Sequence, residues 1–171
     1  MVGGSIPSAG TMLESGSVYR VEHRMMQLRR TCVNVGPYAW ATNCTFKSTI
    51  DSDNARKFMD IAITHEPFRQ LSSKRNIRVH AGFKWKRPGM MADPLLREWV
   101  YNHPMTWQMM VFGFDSLSQL YTWWSDDQEL DILRRADFIV RKYRVKRGLV
   151  RGYKQVIFYP DTATPVISIQ L

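Results

Sequence analysis

The fold is decided by the stretch from Met105 to Tyr159, which reads MTWQMMVFGFDSLSQLYTWWSDDQELDILRRADFIVRKYRVKRGLVRGYKQVIFY. Its residues predict the order strand, helix, helix, strand, turn, strand. The run from Thr106 to Phe114 is apolar and aromatic and has the length of a strand. A second strand is predicted from Phe138 to Arg147. Its partner is predicted from Tyr153 to Tyr159, where Pro160 ends it.

Two short helices are predicted between these strands. After Asp115, apolar residues recur at the spacing of one helix face, namely Leu117, Leu120, Tyr121 and Trp124. Ser125 and Gln128 form a capping-box pattern that predicts the start of the second helix. Gly148 and Gly152 are predicted to bracket the turn between the last two strands.

The residues before this stretch predict further strands and another helix. Alternation of apolar and polar residues favours strands from Val18 to Val35 and from Tyr38 to Ile50. An apolar stripe from Asp51 to Ala62 predicts a helix. The clearest half-buried strand is predicted from Ile77 to Trp85, with one basic face. The tail from Val166 to Leu171 is expected to form an edge strand or a docked extension.

These elements together predict one α+β domain. Residues 1–17 are rich in Gly and Ser and are expected to form a flexible arm, and residues 18–171 are expected to form the domain. A chain of 171 residues is long enough to bury a real core. We expect a twisted antiparallel sheet of four to six strands with helices packed against it. The sequence contains no apolar run of about 18 residues, so no transmembrane helix is predicted. No secretory signal is recognisable.

The connection from Arg87 to Pro104 is long and apolar for a solvated loop. Leu95 to Tyr101 is predicted to form a short helix within it. One interpretation is that the connection packs back onto the sheet. The other is that it exposes an apolar patch for self-association or membrane contact, formed by Met90, Met91, Leu95 and Leu96.

The charge of the chain indicates an anionic partner. The formal net charge is +9, from 24 Lys and Arg against 15 Asp and Glu. Nucleic acid, an acidic protein surface and anionic lipid headgroups all suit such a chain. Between Arg134 and Lys154 there are nine basic residues and one acidic residue. On a strand, Lys142, Arg144 and Lys146 project from one face, and Ile139, Tyr143 and Val145 project from the other. The predicted anion-binding surface consists of Arg78, Lys84, Lys86, Arg141, Lys142, Arg144, Lys146, Arg147 and Arg151.

An enzymatic function has little support in the sequence. The four histidines, His23, His65, His80 and His103, fall on different predicted elements. The acidic cluster suits the positive end of a helix dipole better than a metal or acid/base site; it consists of Asp126, Asp127, Glu129 and Asp131. Cys32 and Cys44 are expected to be small buried hydrophobic residues. The sequence therefore predicts no catalytic residue, no metal and no cofactor.

The order of elements resembles that of the matrix proteins of rhabdoviruses, and by size the plant-infecting branch. The resemblance covers the strand from Tyr38, the helix from Asp51, the strand from Ile77, the long connection from Arg87 and the closing unit from Thr106 to Tyr159. It rests on order and spacing and contains no diagnostic motif. The arm here is not rich in lysine, and the chain has no Pro-Pro-x-Tyr motif.

The resemblance implies a virion structural protein without catalysis. Such a protein associates with itself, condenses the viral nucleocapsid and links it to an anionic membrane during assembly and budding. It also implies a location in the virion and at membranes in the host cytoplasm, and RNA binding without sequence preference. The alternative that the residues leave open is a single-stranded nucleic-acid-binding viral protein, such as a coat protein or a silencing factor.

Overall fold

The computed structural model describes residues 14–25, 27, 31–37, 93–106, 109–135 and 137–171. It confirms the α+β class, with a curled antiparallel sheet and three α-helices among these residues. The strands are β1 (Glu14–His23), β2 (Val111–Gly113), β3 (Phe138–Arg151), β4 (Val156–Phe158) and β5 (Ala163–Gln170). The helices are α1 (Pro94–Asn102), α2 (Leu117–Trp123) and α3 (Asp127–Arg135). None of the described helices is long and apolar enough to cross a lipid bilayer.

Strand β3 is the centre of the sheet. Strand β1 pairs with one edge of it, and β5 and β4 pair with successive parts of the other edge. Strand β2 continues the sheet beyond β4. The sheet then curls until Phe114, directly after β2, bonds back to Tyr19 on the free edge of β1 through two backbone hydrogen bonds of 2.7 and 2.8 Å. Four strands therefore form a closed ring, and β5 lies outside it.

The prediction that Gly148 opens the turn between the last strands is wrong. Strand β3 continues through Gly148 to Arg151, and the reversal occurs between Gly152 and Gln155, joined by a backbone hydrogen bond of 2.9 Å. Gly148 has a φ of 83°, which favours glycine, and a Cβ there would overlap the ring of Tyr159. At this irregular position, the edge partner of β3 changes from β5 to β4.

Local capping explains where the helices begin. Ser116 accepts a hydrogen bond from the backbone N–H of Gln119 at the start of α2. At α3 the cap is Asp126, which accepts from Gln128 N (2.8 Å) and Glu129 N (3.3 Å). The predicted capping box at Ser125 is therefore wrong by one residue.

Helix α1 confirms the short helix predicted in the long connection, and it packs onto the sheet. The carboxylate of the buried Asp93 caps α1 through Oδ1. Its Oδ2 accepts hydrogen bonds from the backbone N–H groups of Tyr153 (2.7 Å) and Lys154 (3.2 Å) in the turn between β3 and β4. One side chain therefore joins the helix to a turn that is distant in sequence.

Two clusters form the core. The larger lies between the curled sheet and helices α2 and α3, and its largest fully buried members are Trp124, Tyr143, Phe138 and Phe158. The smaller places helix α1 against β3 and β4, and it consists of Leu96, Trp99, Val100, Met110, Val150 and Ile157. The order predicted from Met105 to Tyr159 is thus confirmed, although β2 occupies only three residues of the long strand predicted there.

Two predictions for the N-terminal half change. Strand β1 begins at Glu14, so residues 14–17 of the predicted arm belong to the sheet. Strand β1 ends at His23, whereas the strand predicted from Val18 continued to Val35, and the polar residues Arg20 and Glu22 within it are both buried. The predicted elements from Tyr38 to Ile50, from Asp51 to Ala62 and from Ile77 to Trp85 lie outside the described residues.

Candidate anion-binding surface

The alternation predicted for β3 is present in the structure. Tyr143 and Val145 are fully buried in the larger core cluster, whereas Arg144 and Lys146 between and beside them are exposed. Lys142 is half-buried and Arg147 is exposed. We call Lys142, Arg144, Lys146 and Arg147 the basic strip. None of these four forms an ion pair with an acidic residue in the part of the chain that the structure describes.

The neighbours of the strip are fixed by strand register. Lys142 pairs with Tyr19 on β1 and with Ile167 on β5, and its Nζ lies 5.5 Å from the centre of the Tyr19 ring. Arg144 pairs with Ser17 and Thr164. Because directly paired residues of antiparallel strands share a face, two hydroxyl groups flank Arg144, and an aromatic and an aliphatic side chain flank Lys142.

Arg141, one residue before the strip, has a different environment. Its Nη1 lies 3.2 Å from Glu22 Oε1, and its Nε donates to the Ser168 hydroxyl at 3.3 Å. The same Glu22 oxygen accepts a hydrogen bond of 2.6 Å from the Tyr143 hydroxyl. The other oxygen accepts from Asn34 N (3.2 Å) and lies 3.5 Å from Arg20 Nε. We call Arg20, Glu22, Asn34, Arg141 and Tyr143 the buried charge cluster.

Burial controls protonation within this cluster. The Glu22 carboxyl is shielded from water, and this raises its pKa above the ordinary 4.5; the charge of Arg20 and the hydrogen bond from Tyr143 oppose the shift without cancelling it. Burial also raises the pKa of Tyr143, and the nearby Glu22 carboxyl adds to the effect. Tyr143 therefore stays protonated and acts as a hydrogen-bond donor to Glu22.

Arg151 is also engaged in local ion pairs. Its Nε lies 3.0 Å from Asp115 Oδ2, and its Nη1 contacts Glu14 Oε2. Burial raises the pKa of Asp115. Of the predicted surface, Arg141 and Arg151 therefore pair with nearby acids, whereas the basic strip has no acidic partner among the described residues. Arg78, Lys84 and Lys86 lie outside the described residues.

The predicted apolar patch is not a single exposed surface. Leu96 is fully buried in the smaller core cluster, because it lies on the face of α1 that packs against β3 and β4. Leu95 is exposed at the opposite side. Met90 and Met91 lie outside the described residues. The helical part of the connection thus packs back onto the sheet, as one of the two interpretations expected.

The described histidines and the acidic cluster have structural roles. His23 is buried with its ring edge-on to Phe138, and its Nδ1 accepts a hydrogen bond of 3.1 Å from Met25 N. The ring of His103 stacks on Trp99 at 4.3 Å. In the acidic cluster, Asp126 caps α3, and Asp131 pairs with Arg135 one turn further along at 2.9 Å; Asp127 lies in the first turn, as predicted for a helix dipole.

Sequence reasoning missed two neighbours of the strip and the role of Arg141. Tyr19 and Ile167 lie beside Lys142 only through pairing between strands that are distant in sequence. For Arg141 a signal existed, since it alternates in phase with the inward residues Tyr143 and Val145. The same alternation that identified the outward face therefore placed Arg141 on the inward one.

A protein-family model matches nearly the whole chain. The family described as Bacteriophage T4 Y00F protein matches residues 12–171, a range that includes every described residue. The chain belongs to this phage protein family. No curated protein and no solved structure matches it. Membership in the Y00F family does not bear on the rhabdovirus resemblance, which stays a prediction that rests on the order of elements.

Proposed function

We propose that this phage-family protein is a non-catalytic binding protein whose basic strip holds the phosphate backbone of a single-stranded nucleic acid. The observation that carries the proposal is the contrast in pairing along β3. Arg141 and Arg151 pair with acids within the fold, whereas none of the four residues of the strip has an acidic partner among the residues that the structure describes.

The shape of the strip favours a linear ligand. Alternate residues of a strand lie about 7 Å apart, so Lys142, Arg144 and Lys146 form a straight row of charges. The repeat of an extended single-stranded sugar-phosphate backbone is of similar length. Ser17 and Thr164 add hydroxyl donors beside the row, and Tyr19 adds a partly exposed aromatic ring, the type of group on which bases stack.

A second candidate function is the matrix role that the resemblance implies. A protein of that type would link a nucleocapsid to an anionic membrane and lie at the membrane surface in the host cytoplasm and in the virion. The observation that favours it is the exposure of Val166 (52%) and Ile167 (53%) on β5, beside the strip. Apolar side chains next to basic ones suit an anionic lipid surface, where each Lys or Arg contributes about 1 kcal/mol.

The test is a binding titration with a labelled oligothymidine over a series of salt concentrations. In the Lys142→Gln/Arg144→Gln variant, we expect weaker binding and a shallower dependence of the logarithm of the binding constant on the logarithm of salt concentration. Each lost phosphate contact on a single strand reduces this slope by ~0.7, so the change should be about 1.4. Phosphatidylserine vesicles in a parallel series test the membrane candidate.

The matched control is Arg97→Gln/Lys154→Gln, which removes two exposed charges away from the strip. Net charge falls equally in both variants, so a general electrostatic effect would weaken both to the same extent. Equal affinities of the two variants for oligothymidine would contradict the proposal. Vesicle binding that depends on the strip, without oligothymidine binding, would contradict the nucleic-acid proposal and favour the matrix role.

A further inference from the structure

The outer edge of β5 is open in the part of the chain that the structure describes. Strand β5 pairs with β3 on one side, and no described strand pairs with its other side. Five consecutive residues from Thr164 to Ser168 are exposed. Open strand edges tend to pair with another chain, and soluble proteins usually protect them with charged side chains. In this chain of net charge +9, Ala163 to Gln170 contains no charged residue.

Two local features restrict where another strand could pair with this edge. Pro165 lacks a backbone N–H, and the register with β3 shifts at Val166, so regular pairing begins again at Ile167. The remaining segment reads Ile167-Ser168-Ile169-Gln170. Its first three residues are symmetric about Ser168.

We infer that a second copy of this chain pairs antiparallel with the β5 edge about a two-fold axis at Ser168, and brings a second basic strip onto the same face. Antiparallel pairing centred on Ser168 places Ile167 opposite Ile169 of the second copy, and the reverse. The exposed Ile167 is then covered by a β-branched cross-strand partner. The symmetry of the segment favours a second copy over an unrelated strand.

The geometry of this pairing keeps the strips on one surface. A two-fold axis perpendicular to the sheet preserves its faces, so both strips point to the same side. Two β5 strands separate the two β3 strands, and three strand spacings of ~4.8 Å place the β3 strands about 14 Å apart. Because Ser168 pairs with Arg141, the two strips begin beside the axis and run away from it in opposite directions, so their separation is at least this distance. Because this exceeds the Debye length of about 8 Å at physiological ionic strength, the repulsion between the strips is largely screened. The strips are still close enough for one polyanion to contact both.

The role of the ligand in this inference rests on the proposed function, whereas the pairing itself does not. A nucleic acid long enough to contact both strips should favour the dimer, because it binds that form more tightly than the monomer. A short oligomer that fills one strip should have little effect on the association. Ligand length is therefore expected to control the oligomeric state.

The test is sedimentation velocity of the full chain over a range of protein concentrations, alone and with short and long oligothymidines. We expect a monomer–dimer equilibrium that the long oligomer shifts towards the dimer. The variant Ile167→Lys places a charge on the open edge and should remain monomeric. Its short-oligomer binding should persist, because the new lysine adds positive charge beside the strip. A wild-type chain that stays monomeric under all conditions, or an Ile167→Lys variant that dimerises like the wild type, would overturn the inference.

Cysteine cross-linking tests the register independently of the lysine variant. Directly opposite residues of antiparallel strands have Cα atoms about 4.5–5.5 Å apart, within the range of a disulfide. Ser168→Cys should therefore give disulfide-linked dimers under dissolved oxygen. The control Gln170→Cys should not, because its two copies would lie about 14 Å apart. Cross-linking of Gln170→Cys alone would exclude this register. Dimers that form in a protein that does not bind oligothymidine would support the pairing and exclude nucleic acid as the ligand of the basic strip.

Discussion

Arg141 and Lys142 are neighbours on β3 with opposite surroundings. Arg141 points into the buried charge cluster and pairs with Glu22 at 3.2 Å, whereas Lys142 points outward and has no acidic partner among the described residues. Both contribute one charge to the same basic stretch of sequence. For these two neighbours, the phase on the strand separates a charge that is paired within the fold from one that has no acidic partner among the described residues.

The largest expected loss of stability comes from removing the Glu22 carboxylate, which lies at the centre of the buried charge cluster. Glu22→Ala removes the acceptor shared by Arg141, Tyr143 and the backbone N–H of Asn34. Breaking a buried ion pair by removing one partner lowers the free energy of unfolding by about 3–5 kcal/mol. Urea unfolding monitored by tryptophan fluorescence measures the loss.

The control for this change is Glu14→Ala, which removes a carboxylate that is about half exposed (47%) from its pair with Arg151. Arg151 keeps Asp115 as a partner. The control should cost less than about 1 kcal/mol. Similar losses in both variants would mean that burial does not distinguish the cluster from surface pairs.

A smaller effect should separate the two neighbours directly. Arg141→Gln removes a charge-assisted contact within the cluster and should lower the free energy of unfolding by about 1–3 kcal/mol. Lys142→Gln should change it by less than about 0.5 kcal/mol, because the half-buried side chain has no acidic partner among the described residues. Paired urea unfolding curves check this, and equal destabilisation by the two variants would contradict the assignment of their faces.

The smallest expected effect is on pH dependence. Because the pKa of Glu22 is raised in the folded chain, its stabilising contribution is complete below pH 4.5 and is lost as the pH rises through the raised value. Glu22→Gln carries no titrating group there. The free energy of unfolding of the wild type, relative to that of Glu22→Gln, should therefore decrease as the pH rises from 4 to neutrality. A difference independent of pH would show that Glu22 does not titrate with a raised pKa.

Local pattern predicted much of the fold. Alternation gave the first ten residues of β3 and its outward lysines, and helical spacing gave α2 and the short helix within the long connection. Leu120 and Trp124 are buried as their spacing requires, but Tyr121 of the same predicted face is exposed, and Trp123 is buried instead. These features depend on residues that are close in sequence, and therefore a single sequence contains them.

Other features depend on contacts that no local pattern contains. The burial of Arg20 and Glu22 results from pairing β1 with β3, more than one hundred residues further along the chain. The continuation of β3 through Gly148 depends on how Tyr159 packs over it. The two nearby glycines do not reveal this contact, and on their own they predict a turn. Phase predicts that Lys142, Arg144 and Lys146 face outward, but not that Arg147 is exposed, because Arg147 alternates with the inward residues Tyr143 and Val145. The acidic partners of Arg141 and Arg151 could not be predicted from phase either.

Lysine acetylation of the wild-type protein with and without oligothymidine, quantified by mass spectrometry, shows which lysines the bound ligand covers. Lys142 and Lys146 lie in the basic strip, whereas Lys154 is exposed in the turn beyond β3. We predict that the oligomer protects Lys142 and Lys146 from acetylation and leaves Lys154 reactive. Protection of Lys154 with Lys142 and Lys146 unchanged would contradict the assignment of the strip as the anion-binding surface.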